Sequence, residues 1–265
     1  MKYVIVTGGT GGMGKAVCDN LIKQGYGVFA LDRKTVQTDN PNLYSIETDV
    51  TDMKSILCAY EKIKSVTDEI HAICHFAGIY VMDSLIEISE EQFINAFNVN
   101  LFGCYRINKT FIPLLKEGSK IVIATSELAP LAPLPFTGLY AITKSALDKY
   151  AYSLRMEVQL LNVQVCVIRP GAVKTNMLGD STSALDNFCE NTKLYSCNAK
   201  AFKKIVNKVE ARNIPPEKIA KLTAKILNKK KAKQLYKINA NPLLLLLNLL
   251  PCSLQTKIIK TILKT

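Results

Sequence analysis

The chain begins with a short β-branched segment, YVIVT, that turns at once into a glycine-rich loop, TGGTGGMG at residues 7–14, and then into a helical pattern. Five of the eight loop residues are glycine. Glycines at this junction permit a tight turn, and the following helix presents free N–H groups and the positive end of its dipole to a phosphate. We therefore expect a core strand, not a signal peptide, and a dinucleotide-binding loop; an ordinary strand–helix turn rich in glycine is the alternative.

The alternation of strand and helix patterns continues along the chain. Six more strands are predicted, in the segments GVFALD, LYSIETDV, HAICHFAG, KIVIAT, VQVCVIRPG and KQLYKI. Continuous apolar runs are typical of strands that are buried on both faces of a parallel sheet. With helices between them, they predict a single doubly wound (Rossmann) α/β domain with a mostly parallel seven-stranded sheet and helices on both faces. We expect this domain over residues 1–240, with an irregular excursion over the active-site mouth at about 176–213.

The net charge of +12 is unevenly distributed. Residues 1–199 carry 18 Lys and Arg against 20 Asp and Glu, whereas residues 200–265 carry 16 against 2. The main body therefore has no electrostatic footprint for nucleic acid. Eight cysteines lie mostly in apolar runs, with no CxxC and only two histidines, which predicts no metal site and a reducing, cytoplasmic compartment.

Residues 241–265 form a separate apolar C-terminal extension. Pro242 and Pro251 bound the segment NPLLLLLNLLP, so its helix is far shorter than a bilayer span. The next segment, SLQTKIIKTILK, has the apolar stripe of an amphipathic helix. Packing over the substrate mouth or a subunit interface is one interpretation, and weak peripheral contact with a membrane is the other.

Asp32 closes the second predicted strand. A carboxylate at this point accepts hydrogen bonds from the ribose hydroxyls of a dinucleotide and repels a 2′-phosphate. Arg33 follows directly and can accommodate that phosphate. NAD is therefore favoured and NADP stays open, while a solvated strand-end aspartate is the alternative interpretation.

A tyrosine hydroxyl one helical turn from a lysine suggests acid–base chemistry, but the pattern alone is weak. Tyr-x-x-x-Lys occurs three times, at Tyr60/Lys64, Tyr105/Lys109 and Tyr140/Lys144. A free phenol has a pKa of about 10, too high for a base near neutrality, and a nearby ammonium is expected to lower it. The last pair follows the strand-end Ser126 and precedes the segment RPG, so we expect it to be the functional pair.

Motifs spread over residues 1 to about 175 resemble those of the short-chain dehydrogenase/reductase family. They are TGxxxGxG at 7–14, Asp49-Val50, Ala77-Gly78, the NVNLFG asparagine, Ser126, YAITK and RPGAVKT, in that order. The segment 126–161 loosely resembles the steroid- and retinoid-acting branch. This resemblance implies an NAD(P)-dependent homo-oligomeric oxidoreductase that interconverts a secondary alcohol and a ketone on a small hydrophobic substrate such as a steroid, bile acid or retinoid.

The resemblance also implies roles for particular residues. Tyr140 is the expected general acid/base, Lys144 its partner, Ser126 the hydroxyl that positions substrate, and Asn100 the fourth member. The expected cofactor contacts are Gly8, Gly12, Met13, Gly14, Asp32, Asp49, Val50, Ala77, Gly78, Tyr140, Lys144 and Thr175. Where the family often has Asn-Asn-Ala-Gly this chain has HFAG, and we interpret His75 as a satisfied strand-end histidine.

Two non-catalytic functions remain as alternatives at this point. A dinucleotide-binding module without activity would be expected to have lost part of the Asn–Ser–Tyr–Lys set, and this chain retains all four positions. In a membrane-surface adaptor, the fold would be that of an enzyme, but the functional part would be the basic C-terminal region.

Overall fold

Seven strands pair into one sheet in the computed structural model, which describes residues 1–210 and 212–264. The strands are β1 Tyr3–Thr7, β2 Gly27–Asp32, β3 Leu43–Glu47, β4 Ile70–His75, β5 Leu115–Ala124, β6 Gln164–Pro170 and β7 Leu235–Ile238. Their order across the sheet is β3-β2-β1-β4-β5-β6-β7, and each neighbouring pair is parallel. The predicted doubly wound fold is confirmed, with a sheet that is parallel throughout its described pairs.

Helices connect the strands and cover both faces of the sheet. They are α1 Gly12–Lys23, α2 Met53–Lys64, α3 Glu90–Phe97, α4 Gly103–Phe111, α5 Gly138–Val158, α6 Asn176–Asn191, α7 Ser196–Glu210, α8 Glu217–Leu227, α9 Pro242–Asn248 and α10 Cys252–Lys264. A π-helical turn, Asn98–Phe102, joins α3 to α4. The helical region after β4 is therefore interrupted by a wider turn.

The two faces of β1 show how the core is built. Ile5 belongs to the apolar cluster that includes side chains from α2, α4 and α5, whereas Val4 and Val6 belong to the cluster that includes side chains from α1 and α8. All three valine and isoleucine side chains are fully buried. Because successive side chains of a strand point to opposite faces, an uninterrupted apolar run places the sheet between two helical layers.

The strand order creates a crevice at the centre of the sheet. From β1 the chain moves outward to β2 and β3, and it then returns to place β4 on the other side of β1. In open parallel sheets, ligands bind outside the carboxyl ends of the strands at this point of reversal. The sequence motifs at the ends of β1, β2, β4 and β5 are brought together there.

Residues 176–213, expected to be the least regular part of the chain, contain the helices α6 and α7. Side chains of α6, α7 and α10 form a third, smaller apolar cluster with Met82, whose members include Leu185, Phe202 and Leu263. Residue 211 lies outside the described residues. Among the described helices, none is both long and apolar enough to cross a bilayer.

Candidate active site

The glycine loop between β1 and α1 folds tightly against the loop that follows β4. Gly8 has a φ of +67°, in the left-handed region that favours glycine, and a Cβ there would lie 2.8 Å from the backbone nitrogen of Ala77. A Cβ on Gly14 would collide with the carbonyl oxygen of Gly8. Gly11 is the N-cap of α1 and provides no side-chain cap. The N-terminus of α1 therefore offers its first N–H groups and its dipole to an anion.

A cavity borders this loop at the carboxyl ends of the strands. Its lining includes the ten predicted cofactor residues that lie outside α5, namely Gly8, Gly12, Met13, Gly14, Asp32, Asp49, Val50, Ala77, Gly78 and Thr175. Asp32 Oδ2 accepts a hydrogen bond from the Thr10 N–H at 3.1 Å, and Arg33 lines the same cavity. A backbone cradle beside a carboxylate suits a pyrophosphate joined to a ribose.

A second cavity adjoins the first and shares Met13, Phe76, Gly78 and Thr175 with it. Its empty space, counting the open mouth, is ≈ 1130 Å³. Most of its outer wall is apolar and comes from the loop after β5, from α7 and from α9, as Leu128, Leu134, Phe202, Ile205, Val206 and Leu244. This cavity suits an apolar ligand larger than a few carbon atoms.

Three of the four expected catalytic residues line this second cavity. Ser126 lies just after β5, and α5 carries Tyr140 and Lys144 one turn apart. All three side chains are buried. The Ser126 side chain is hydrogen-bonded to the Tyr140 hydroxyl, and Lys144 Nζ lies 5.7 Å from the centroid of the Tyr140 ring. The fold thus collects a hydroxyl, a phenol and an ammonium group where the two cavities meet.

Asn100 lies in the π-helical turn and is 1% exposed. Its Oδ1 accepts from the Ile79 N–H at 2.8 Å, while its Nδ2 donates to the Ile79 carbonyl at 3.0 Å and to Thr143 Oγ1 at 3.0 Å. Thr143 Oγ1 in turn donates to the Tyr140 carbonyl at 2.8 Å. Asn100 therefore connects the loop after β4 to the first turns of α5.

Replacing Asn100 with Leu is expected to lower the melting temperature by roughly 5–10 °C in thermal unfolding. The change leaves the Ile79 N–H and carbonyl without their side-chain partner, and a buried unsatisfied polar group costs about 1–3 kcal/mol. The same change at Asn95, an exposed residue of the preceding helix, serves as the control for stability. Equal melting temperatures for the two variants would show that the amide bonds of Asn100 contribute little.

Burial sets the acidity of Tyr140 in this structure. Desolvation raises the pKa of Tyr140 to about 12; the hydrogen bond from Ser126 acts in the opposite direction, and the Glu127 carboxylate adds to the rise. Desolvation also lowers the pKa of Lys144 to about 8. The net change in the pKa of Tyr140 is therefore opposite to the expected lowering, because the cost of burying the phenolate dominates in this structure. At neutral pH Tyr140 is a protonated phenol.

Glu127 and Tyr80 were not singled out from the sequence, although both line the second cavity. Burial raises the pKa of Glu127, and its Oε2 accepts a hydrogen bond from the Asn241 N–H at 2.6 Å. The Tyr80 ring centroid lies 4.5 Å from that of Tyr140. The available signal for Glu127 was a lone carboxylate between Ser126 and the apolar loop 128–136. Tyr80 had no comparable signal.

His75 is fully buried, and its Nε2 lies 2.8 Å from Asn108 Oδ1. Burial lowers the pKa of His75 to about 4, with the hydrogen bond that the imidazole donates to Asn108 Oδ1 acting in the opposite direction. The imidazole is therefore neutral at pH 7 and has a polar partner, in agreement with its interpretation as a satisfied strand-end histidine.

The other two Tyr-x-x-x-Lys pairs make ordinary helix-surface contacts. The Tyr60 ring centroid lies 5.6 Å from that of Phe111, and Lys64 forms an ion pair with Asp68 at 2.6 Å. Tyr105 is 44% exposed, with the ammonium of the neighbouring lysine 5.8 Å from its ring centroid. Neither pair belongs to the two cavities described above.

Comparison with known proteins agrees with this geometry. The family model described as short chain dehydrogenase matches residues 2–186. The probable short-chain type dehydrogenase/reductase VdlC of Helicobacter pylori is 29% identical over 256 residues, which cover 94% of this chain and 93% of that protein. Estradiol 17-beta-dehydrogenase 2 of Mus musculus is 31% identical over 191 residues, 67% of this chain and 50% of that protein.

A solved structure confirms the fold independently. The crystal structure of a short chain dehydrogenase family protein from Francisella tularensis subsp. tularensis SCHU S4 superposes with a TM-score of 0.74 at 24% sequence identity, covering 90% of this chain and 97% of that one. The matched family model spans the glycine loop, Ser126 and the Tyr140/Lys144 pair. The chain therefore belongs to the short-chain dehydrogenase family, with a loose resemblance to its hydroxysteroid branch, and is an oxidoreductase that acts on CH–OH or keto groups.

Proposed function

We propose that this protein interconverts a secondary alcohol and a ketone on a hydrophobic substrate such as a steroid, bile acid or retinoid, with NAD as the favoured cofactor. The observation that carries this proposal is the position of the Ser126–Tyr140–Lys144 cluster beside an apolar cavity that adjoins the glycine-lined one. When bound, a nicotinamide dinucleotide supplies or accepts the hydride.

The chain's own residues handle the proton and the substrate oxygen. In reduction, the Tyr140 hydroxyl donates its proton to the carbonyl oxygen, and in oxidation the phenolate takes a proton from the alcohol. Ser126 donates a hydrogen bond to the substrate oxygen and holds it beside Tyr140. Lys144 places a positive charge near the phenolate. Asn100 holds the loop after β4 against the start of α5 through its hydrogen bonds to Ile79 and Thr143.

The pKa of Tyr140 bears on the direction of the reaction. Because burial raises this pKa to about 12, the phenol is protonated at neutral pH, which is the form that carbonyl reduction uses. The reverse reaction needs the phenolate, so its rate should rise as the pH increases above neutrality. The positive charge of an oxidised nicotinamide would favour the phenolate and reduce this difference.

A turnover screen with NAD(H) and NADP(H) tests the proposal directly. The substrates are hydrophobic alcohols and ketones, with steroids, bile acids and retinoids included, and nicotinamide absorbance is the signal. Turnover of a member of this set supports the assignment. Cofactor binding without turnover of any tested alcohol or ketone would favour the non-catalytic dinucleotide-binding module.

NAD is expected to be preferred over NADP by at least about tenfold in kcat/KM, which corresponds to 1.4 kcal/mol. A 2′-phosphate near Asp32 would bring two negative charges together and add a desolvation cost. Replacing Asp32 with Ala should narrow or reverse the preference, because Arg33 then faces the phosphate alone. Arg33→Ala is the matched control and should increase the preference for NAD. A wild-type enzyme that is more efficient with NADP would mean that Arg33 outweighs Asp32.

We also propose that the protein is a cytoplasmic homo-oligomer that contacts a membrane surface through residues 241–265. Large apolar side chains on neighbouring helical segments support self-association. Phe102 just before α4, Tyr105 on α4, and Tyr152 and Met156 on α5 are 43–58% exposed. Apolar side chains left exposed on folded proteins often mark association surfaces.

A further inference from the structure

The leucines of helix α9 and its C-terminal end differ in exposure: one lines the substrate cavity, and others face outward. Leu244 is 8% exposed and lines the apolar cavity. Leu243, Leu246 and Leu249 are 62%, 60% and 81% exposed, and we call these three residues the leucine face. A short helix with apolar side chains on both sides is unusual for a surface exposed only to water.

The helix that carries the leucine face is held firmly at both ends. At its start, the Asn241 N–H donates to Glu127 Oε2 at 2.6 Å, and at its end Asn248 Oδ1 accepts from the Ala132 N–H at 2.7 Å. Glu127 lines the substrate cavity next to Ser126. The leucine face therefore lies on the outer side of the helix whose Leu244 lines the cavity, and it has a fixed position relative to the active site.

The charged side chains of the C-terminal segment 238–264 all have the same sign. Residues 238–256 contain no Asp, Glu, Lys or Arg, and α10 then presents the exposed side chains of Lys257, Lys260 and Lys264. On α10, Leu254 and Ile262 are also exposed, while Leu263 packs into the cluster formed with α7. An apolar surface beside a group of lysines complements the interface of an anionic lipid bilayer.

We propose that the leucine face and the three α10 lysines dock this protein on an anionic bilayer surface, so that the apolar cavity receives its substrate from the lipid phase. This proposal rests on the hydrophobic substrate of the proposed function. The leucines enter the boundary between headgroups and acyl chains, and the lysines contact anionic headgroups. Three lysines and no carboxylate in residues 238–264 favour an anionic lipid partner over a second copy, because two such surfaces would repel each other.

Co-sedimentation of the full-length protein with vesicles tests the docking without any knowledge of the substrate. We expect binding to vesicles of 70% phosphatidylcholine and 30% phosphatidylserine at low salt, and several-fold weaker binding at 0.5 M NaCl, where charges are screened over roughly 4 Å. Vesicles of phosphatidylcholine alone should bind much less. Failure of the full-length protein to sediment with anionic vesicles at low salt would overturn the proposal.

Two substitution sets separate the apolar and basic contributions. Leu243→Ser, Leu246→Ser and Leu249→Ser together should weaken vesicle binding by at least about tenfold. Replacing Lys257, Lys260 and Lys264 with Gln should remove the preference for phosphatidylserine. The matched control is Leu160→Ser with Leu161→Ser, since these leucines are 82% and 60% exposed in the turn after α5. Equal losses in the control and in the leucine-face variant would contradict a specific docking surface.

Two further measurements distinguish the alternatives. The leucine-face variant should keep the wild-type turnover of a water-soluble alcohol or ketone, so loss of vesicle binding at normal turnover separates docking from the proposed chemistry. Sedimentation velocity without lipid reports the oligomeric state. A wild-type oligomer that dissociates in the leucine-face variant, with no vesicle binding by either protein, would assign the surface to a subunit interface and overturn the proposal.

Discussion

Replacing Tyr140 with Phe is expected to reduce turnover by about 10²–10⁴-fold, the range typical for loss of a general acid or base. The substitution keeps the ring, and therefore the packing against Tyr80, but removes the hydroxyl that is hydrogen-bonded to Ser126. Cofactor affinity, measured by fluorescence titration, should change little, because the glycine-lined cavity is unaffected. Steady-state kinetics with any substrate from the screen provides the measurement.

The two remaining tyrosine–lysine pairs provide matched controls for this prediction. Tyr60→Phe and Tyr105→Phe also remove a phenol oxygen, but neither tyrosine lines either of the two cavities. Both variants should retain turnover within about twofold of wild type, a difference of less than about 0.5 kcal/mol in activation free energy. Near-normal turnover in Tyr140→Phe would exclude the proposed acid–base role.

Replacing Lys144 with Met is expected to stabilise the protein while it reduces turnover by at least about 10²-fold. Burial lowers the pKa of Lys144 from its ordinary value of 10.5 to about 8, so the folded state bears the cost of an enclosed charge. An apolar side chain of similar length removes that cost. We expect a gain of about 1–3 kcal/mol, or roughly 3–10 °C in melting temperature by thermal unfolding.

The pH dependence of this stabilisation has a definite sign. Below pH 8 the lysine is charged in both states, and the destabilising effect of its burial is fully present. Between pH 8 and 10.5 the unfolded chain binds more protons than the folded one at this site, so wild-type stability rises relative to Lys144→Met. The difference in melting temperature should therefore shrink between pH 7 and pH 10.

Lys109→Met, on the exposed surface of α4, is the control for both measurements. It should alter neither turnover nor the pH dependence of stability by much, because an exposed lysine loses little hydration on folding. If Lys144→Met were less stable than wild type at pH 7, the contacts of the ammonium group would outweigh its burial cost.

The fold and the positions of the main candidate site residues were predictable because they depend on local patterns. Apolar runs such as that of β1 require burial on both faces, and a glycine-rich turn before α1 requires close backbone contacts. Parallel strands that alternate with helices bring strand ends to one edge, so Asp32 and Ser126 could be placed near the glycine loop from their positions alone.

Other features depend on tertiary contacts that leave no local signal. The π-helical turn arises within an apolar helical segment, and its inward-facing Asn100 is explained only by Ile79 and Thr143, which come from other elements. The acidity of Tyr140 depends on how completely the surrounding chain encloses it, and a four-residue spacing carries no information about enclosure. The hydrogen bond from the Asn241 N–H to the Glu127 carboxylate joins positions that are far apart in the sequence, so no local pattern predicts it.

The parallel arrangement of the strands also affects how the chain reaches its folded state. No described pair of neighbouring strands is joined by a hairpin, and Val4 of β1 pairs with Ala72 of β4. During synthesis, β1 leaves the ribosome long before its second neighbour, β4, exists, and β7 completes the edge only after the other six strands have been made. Pairings between distant segments form slowly and leave apolar strands open to aggregation. The yield of folded protein should therefore depend on expression temperature and chaperone supply more than on the stability of the finished domain.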